Sequence, residues 1–455
     1  MAGKLTFDEL RQAVATGEID TVIAAQVDMQ GRLMGKRFQA EYFVESAWEE
    51  THSCNYLQAT DMEMSTVDGY KATSWSSGYG DYTMKPDLST MRRVPWLEGT
   101  ALVLCDVEDH STHEAVAHSP RAVLKRQIAR LEAMGMKPFM ASELEFFLFK
   151  ESYEQAQAQA HNNLSPVSAY NEDYHIFQTT KEEVVMRALR NGLQGAGITV
   201  ENSKGEADAG QEEINVRYSD ALTMADNHVI IKNATKEIAW QKGYAASFMA
   251  KWSDRAAGSS SHIHQSLWSG SGEPLFYDAD DRYGMSKLMK HYMAGLLTHA
   301  SDITYFLAPN INSYKRFAEG TFAPTKAIWS KDNRTAGYRV CGDRTKAVRV
   351  ECRVGGADLN PYLAMAALLA AGIDGIEREL TLEDEFVGDA YGGGDIREVP
   401  NTLRSAARLL DRSSMLRSAM GDDVVEHYVH AANFEQSEYD RAVTDWERRR
   451  GFERS

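Results

Sequence analysis

The sequence predicts an α+β chain of two units, a small strand-rich one over residues 1–114 and a larger one of mixed strands and helices over 115–455. Three observations predict this. Residues 21–28 are rich in Val, Ile and Ala, and a turn at Met29-Gln30-Gly31 leads into residues 32–38, the pattern of a β-hairpin. Ser119-Pro120 and Asn360-Pro361 each place a polar cap before a proline, the signature of a helix start. Between those two starts, residues 141–149 alternate as a strand does.

In chain order, Thr6-Phe-Asp-Glu9 is a capping box opening a short helix, and the hairpin of residues 21–38 follows. Residues 61–95, with Gly69, Gly78, Gly80, Pro86 and Pro95, read as long loops, where binding residues tend to sit. Residues 101–106 read as a strand. The helix from Pro120 carries Leu124, Ile128 and Leu131 at helical spacing and ends at Gly135. A glycine run, Gly392-Gly393-Gly394, marks a loop ahead of C-terminal helices that begin near Asn401. The run Gln155-Ala-Gln-Ala-Gln-Ala160 is too short to be a repeat, and no longer repeat is visible.

Composition narrows the function classes. A chain of 455 residues is long enough for two or three domains of about 150 residues each. With 49 Lys+Arg against 66 Asp+Glu, the net charge of −17 argues against a nucleic-acid partner. Phosphate-bearing ligands remain open, because clustered arginines or bound metals reverse the local potential. The cysteines Cys54, Cys105, Cys341 and Cys352 are scattered without a CxxC spacing, as reduced cytosolic thiols are. Residues 1–20 carry Asp8, Glu9, Arg11, Glu18 and Asp20 and no apolar core of a signal peptide. The Ala-rich stretch 362–373 falls short of the ~20 residues that span a bilayer. The expectation is a cytoplasmic protein without a membrane partner.

Four segments could carry chemistry. Glu143 and Glu145, two apart on a strand, face the same way; they are either an exposed edge face or a pair of hard oxygen ligands for Mg2+ or Mn2+. Glu206 and Glu213 flank a bend at Gly210, which reads equally as a solvated acidic turn. After a Gly/Ser loop starting at Gly258, His262 and His264 share a strand face with Ser266 beyond them, which fits a ligand or phosphate role as well as a structural one. The series Arg316, Arg334, Arg339, Arg344, Lys346, Arg349 and Arg353, with Glu351 inside it, suits carboxylate and phosphate binding or a surface ion-pair network. Together they supply both halves of a nucleotide-phosphate site, metals for charge and guanidinium groups for oxygens.

These residues resemble, in order, the motifs of the glutamine synthetase family. The resemblance runs through Glu143-Leu-Glu145-Phe-Phe, Glu206 to Gly210-Gln-Glu-Glu213, and Gly258 to His262-Ile-His264. It continues through Asn312-Ser-Tyr-Lys-Arg316, Asn333-Arg334-Thr and Arg349-Val-Glu351-Cys-Arg353, on to Asn360-Pro361-Tyr. Upstream, Asp28, Gly31 and Gly35-Lys36, and then Gly80-Asp81-Tyr-Thr-Met-Lys-Pro86-Asp87, also match.

The resemblance implies a β-grasp N-terminal domain and a catalytic domain with a curved antiparallel sheet and flanking helices. It implies a homododecamer of two hexameric rings, with the N-terminal domain of one subunit closing its neighbour's site. Two or three Mg2+ or Mn2+ per site are implied, with Glu145, Glu206 and Glu213 holding one ion and Glu143, His262 and Glu351 another. His264, Ser266, Lys346 and Arg349 would face ATP. Gly258, Arg316 and Arg353 would bind glutamate, and Arg334 and Arg339, acting in catalysis with Asp81, the transferring phosphate. The reaction implied is ligation of an amine to the γ-carboxylate of glutamate through γ-glutamyl phosphate.

The departures point to the amine. Where the family carries a Glu six residues past the Asn-Ser-Tyr-Lys-Arg motif, this chain has Phe322; an Asn before Gly258 is Ala257. A second acidic residue, expected in a loop ahead of the Asp81 motif, has no clean counterpart, since Asp68 stands near the right distance in a sequence that does not match. Losing a carboxylate and gaining an apolar wall favours an amine with a carbon substituent, at about 0.8 kcal/mol per buried CH2. The expectation is a γ-glutamyl-amine ligase for a substituted monoamine. Left open are a polyamine acceptor, an ordinary ammonia-using synthetase, a catalytically silent relative, and a guanidino- or thiol-directed ligase or kinase.

Overall fold

The computed structural model describes residues 3–318, 320–321, 323–392 and 396–455. Phe322 and two glycines of the run at 392–394 lie outside the described residues. The chain opens with the expected capping box: Glu9 donates its N–H to Thr6 Oγ1 at 3.2 Å, and Glu9 Oε2 accepts from the Thr6 N–H at 2.7 Å. The hairpin follows as β1 (Thr21–Val27) and β2 (Leu33–Gln39), with Val27 opposite Leu33. Asp28 fixes the turn. Its Oδ1 accepts from the N–H groups of Gln30 and Arg32 at 3.0 and 2.8 Å, and its Oδ2 accepts from Arg32 Nε at 2.6 Å.

The N-terminal sheet adds β3 (Thr51–Cys54), β4 (Asp81–Pro86), β5 (Arg92–Arg93) and β6 (Thr100–Asp109). Its order is β2-β1-β6-β4-β3, with β5 paired to β6, and β1 runs parallel to β6. The expectation of loops across 61–95 is corrected at β4, an interior strand. Its Tyr82, Thr83 and Met84 are buried while Asp81 and Lys85 are exposed, and Gly and Pro on either side hid six residues of strand in the sequence pattern.

The second sheet is built on β7 (Met136–Phe149), followed by β8 (Val200–Gly205), β9 (Gln211–Val216), β10 (Ser219–Asp220), β11 (Ala245–Ser247), β12 (Ser261–Ser269), β13 (Trp329–Lys331), β14 (Tyr338–Cys341) and β15 (Arg349–Cys352). Its order is β13-β14-β15-β12-β7-β9-β8, with β10 and β11 both pairing β7. The pairings are antiparallel, as expected, except β13 with β14, which is parallel. Helices Pro120–Ala133 and Ala221–Gln241 pack on β7, and the helix Pro361–Glu377 packs on both of them. Residues 361–373 of that last helix are all buried, so the Ala-rich stretch is a core helix. No described helix is long and apolar enough to cross a membrane. The helix touches Lys287–Thr298 backbone to backbone: a Cβ at Gly295 would meet the Ala371 carbonyl oxygen at 2.1 Å, and one at Gly375 the His291 carbonyl oxygen at 2.2 Å. All four cysteines are free thiols.

Polar groups knit the two sheets' territories together. Asn360 Oδ1 caps its helix by accepting from Tyr362 N–H at 3.1 Å, while Nδ2 donates to the carbonyls of Asp28 and Met29 at 3.0 and 3.1 Å. Arg121, 2% exposed, donates to Asp87, Asp106 and Asp226 at 2.7, 2.6 and 3.1 Å. Tyr362 Oη donates to the same Asp226 at 2.6 Å. A buried ion pair broken on one side leaves an uncompensated charge, at about 3–5 kcal/mol. Arg121→Leu is therefore expected to lower the unfolding free energy by about that much in urea titrations. An unchanged midpoint would show that this cluster does not hold the seam.

Candidate active site

Strand register assembles the site. Side chains directly opposite one another in an antiparallel pair share a face. Glu143 on β7 stands opposite His262 on β12, and Glu145 opposite Glu213 on β9. His264 stands opposite Glu351 on β15, and Glu351 in turn opposite Arg339 on β14. Residues far apart in sequence thus form one patch across five adjacent strands.

The contacts are close. His262 Nδ1 lies 2.8 Å from Glu143 Oε1 and 3.5 Å from Glu351 Oε1, and His264 Nε2 lies 3.2 Å from Glu143 Oε2. Arg339 Nη1 donates to Glu351 Oε2 at 3.0 Å and Arg353 Nη1 to Glu351 Oε1 at 2.6 Å. Glu145 Oε2 accepts from the Ser260 N–H at 2.8 Å and from Gln211 Nε2 at 3.2 Å. Glu206 pairs with Lys204 Nζ and lies within electrostatic reach of Glu145 and Glu213.

Electrostatics divide the carboxylates into two kinds. Burial pushes Glu143 up, but hydrogen bonds and charge from His262 and His264 outweigh it and hold the group well below the usual range. Glu351 is likewise opposed by burial, yet His264, Arg353 and His262 hold it at about 2. Glu145 has no such cationic surplus: burial, then the charge of Glu206, pushes it up to about 8. Glu213 is pushed to about 10 by burial and by the charges of Glu143, Glu206 and Glu145. So many carboxylates in one low-dielectric pocket cannot all be ionised without added cations.

The donor set fits divalent metals. Ligand atoms of Glu143, His262 and Glu351 lie within 4.8 Å of one another, as do those of Glu143, Glu145 and Glu213, so Glu143 is shared by two neighbouring groups. His262 Nε2 is buried without a hydrogen-bond partner among the described residues. Carboxylate oxygens with a single imidazole are the hard donors that Mg2+ and Mn2+ take.

Beside the cluster opens a cavity of about 740 Å3, lined by Glu143, His264, Ser266, Arg339, Lys346 and Arg349. One wall is aromatic: Phe139 and Trp268 rings stand 5.3 Å apart, with Tyr218 stacked 6.4 Å from Trp268. Arg349 Nε donates to His264 Nδ1 at 3.2 Å. Gly258 sits against Arg316, whose Cγ a Cβ at 258 would meet at 2.6 Å. Arg316 is turned inward, donating to Ser260 Oγ at 2.7 Å and to the carbonyls of Val354 and Arg353 at 2.9 and 3.0 Å. Arg353 Nε is buried without a partner among the described residues.

Two expected residues stand apart. Arg334 is exposed on the turn between β13 and β14 and does not line the cavity. Asp81 is exposed in the N-terminal sheet, opposite Cys54. Phe322 lies outside the described residues. Sequence reasoning missed the aromatic wall, although the signal was present: Phe139 lies four residues before Glu143 and Trp268 four after His264, on the same strand faces. It also missed Tyr391, which feels the charges of Arg316 and Arg353.

Loss of even an outer-sphere partner of a bound metal costs about 10- to 100-fold in affinity. Glu213→Gln should weaken Mn2+ binding, measured by isothermal titration calorimetry, by at least about that factor. Unchanged Mn2+ affinity would remove Glu213 from the metal cluster.

Comparison with known proteins gives the same family. Residues 117–451 match the glutamine synthetase catalytic domain. The chain is 46% identical over 453 residues to a gamma-glutamylethanolamide synthetase of Streptomyces coelicolor, covering 99% of this chain and 96% of that one. It is 37% identical over 442 residues to a glutamate–isopropylamine ligase of a Pseudomonas species, covering 96% of each. Among solved structures, ligand-free GmaS superposes with a TM-score of 0.85 at 25% identity, covering 98% of this chain and 99% of that one. The chain belongs to the glutamine synthetase family, whose members are ATP-dependent, divalent-metal-using ligases.

Proposed function

We propose that this protein ligates a primary amine to the γ-carboxylate of L-glutamate through γ-glutamyl phosphate, consuming ATP and releasing ADP and phosphate. The observation that carries the reading is the carboxylate–histidine patch on β7, β9, β12 and β15, set at the mouth of a cavity with arginines on its rim. In this reading ATP lies along His264, Ser266, Lys346 and Arg349, its base against the aromatic wall. Glutamate is held by Gly258, Arg316 and Arg353. Two or three divalent ions, on Glu145, Glu206 and Glu213 and on Glu143, His262 and Glu351, would supply charge neutralisation for the phosphates.

A γ-carboxylate oxygen attacks the γ-phosphorus and ADP leaves, while Arg339 carries the charge on the equatorial oxygens. The neutral amine then attacks the acyl carbon, the C–O bond to phosphate breaks, and the amine gives up a proton. Activation as an acyl phosphate replaces one difficult condensation by two easier steps. Closing the site against water protects that intermediate. Asp81 is exposed on the other sheet, which supports its supply to a neighbouring subunit's site in a ring-built dodecamer of cytoplasmic protein.

The acceptor we favour is a small substituted monoamine. Phe322 in place of the family's Glu, and Ala257 in place of its Asn, trade attraction for a small cation against apolar contact. The ethanolamine- and isopropylamine-directed relatives support this choice over ammonia or a polyamine. Each methylene of the amine that the exchange of charge for apolar side chain lets the site bury adds about 0.8 kcal/mol, or roughly fourfold in kcat/KM. A panel of ammonium, methylamine, ethanolamine, isopropylamine and putrescine, read by phosphate release, is expected to rank the monoamines first. Phe322→Glu should move the preference toward ammonium. Ammonium ahead of every substituted amine in the unaltered protein would refute the assignment.

A further inference from the structure

β9 carries two adjacent glutamates whose side chains leave on opposite faces of the sheet. Glu213 joins the patch described above. Glu212 turns the other way and meets Glu172 and Glu182, which come from the chain leading into the helix Glu183–Gly195. Glu172, Glu182 and Glu212 are 0%, 2% and 1% exposed, and one carboxylate oxygen of each lies within 4.8 Å of the others.

A second, separate observation concerns their partners. Both oxygens of Glu172, both of Glu182 and Oε1 of Glu212 are buried without a hydrogen bond of good geometry among the described residues, although Ser168 and the Gly210 N–H stand near Glu172. Nearby cations are committed elsewhere. Arg190 donates through Nη1 to Glu183 and Ser203 at 2.8 and 2.9 Å and through Nη2 to Glu183 at 2.8 Å. Lys181 Nζ donates to Gln178 Oε1. Space has been made for the cluster as well: Gly205 stands opposite Glu212, and a Cβ there would meet the Glu172 carbonyl oxygen at 2.6 Å and its Cγ at 2.7 Å.

Buried carboxylates without donors are costly, and such orphaned oxygens in a native fold call for an ion or a shared proton. We propose that Glu172, Glu182 and Glu212 form a divalent-cation site behind the catalytic sheet, separate from the metal ligands on its front. Three carboxylates offer only hard oxygens, the donors that Ca2+, Mg2+ and Mn2+ take. Without the ion, burial and the neighbouring charge of Glu182 push Glu172 up to about 8. An ion here ties the segment bearing Glu172 and Glu182 to β9, and so buttresses Glu213 from behind without touching substrate.

The test uses the full-length protein and Mn2+ as an anomalous scatterer that binds hard-oxygen sites. Crystals soaked in Mn2+ should show an anomalous peak between Glu172, Glu182 and Glu212. In solution, Glu182→Gln should retain one divalent ion fewer per chain than the unaltered protein, with amine-dependent phosphate release in saturating Mg2+ within about twofold of it. Should the variant fail to fold, the map of the unaltered protein decides alone. A map without density at the cluster would mean that the three carboxyls share protons instead, and would overturn the proposal while leaving the ligase reading untouched.

Discussion

Everything at this site depends on one constraint: strand register sets ionisable carboxylates side by side in a low-dielectric pocket. Glu145 and Glu213 face each other directly across β7 and β9, and like charges so placed repel. The protein answers this only in part. Glu143 and Glu351 find His262, His264, Arg339 and Arg353, and stay ionised. Glu145 and Glu213 find each other, and do not. That imbalance makes the pocket a trap for divalent cations, and it places the trapped charge beside a cavity rimmed with arginines and lysine. A site so arranged is suited to moving a phosphoryl group onto a carboxylate, since both reactants are anions that repel each other in water.

The constraint reaches beyond the pocket. β7 is the strand on which the register converges, and it is gripped from outside by helices Pro120–Ala133 and Ala221–Gln241. Those helices also supply Arg121 and Asp226, which pair with each other, and Arg121 reaches on to Asp87 and Asp106 of the N-terminal part. The packing that fixes the metal patch and the contacts that seat the N-terminal sheet are therefore mechanically continuous. On the far side of β9, Glu212 opens a second acidic pocket directly behind Glu213, so both faces of one strand are organised by charge.

How much of this could be read from residues alone varies with how local the signal is. Glu143 with Glu145, and His262 with His264, were legible because a two-residue period puts side chains on one face whatever the partner strand. Their convergence was not, since no local property says that β12 lies between β7 and β15; only the resemblance to a family supplied that neighbourhood. β4 was hidden for the opposite reason, its few strand residues being crowded by glycine and proline that mark turns. The parallel pairing of β13 with β14 depends on how the intervening chain crosses, which periodicity cannot report. Glu172, Glu182 and Glu212 drew no notice because each looks like an ordinary surface glutamate until tertiary packing buries all three. Inward-turned Arg316 makes the same point, for its sequence context shows a cation and not the direction it faces.

The central claim is chemical: glutamate is activated by direct transfer of the γ-phosphoryl group to its γ-carboxylate. Glutamate labelled with 18O in both γ-carboxylate oxygens tests it most directly, with the released phosphate and the amide product analysed by mass spectrometry. The account predicts one labelled oxygen in the phosphate and one in the amide at every turnover. Phosphate carrying no label, with product still formed, would contradict it.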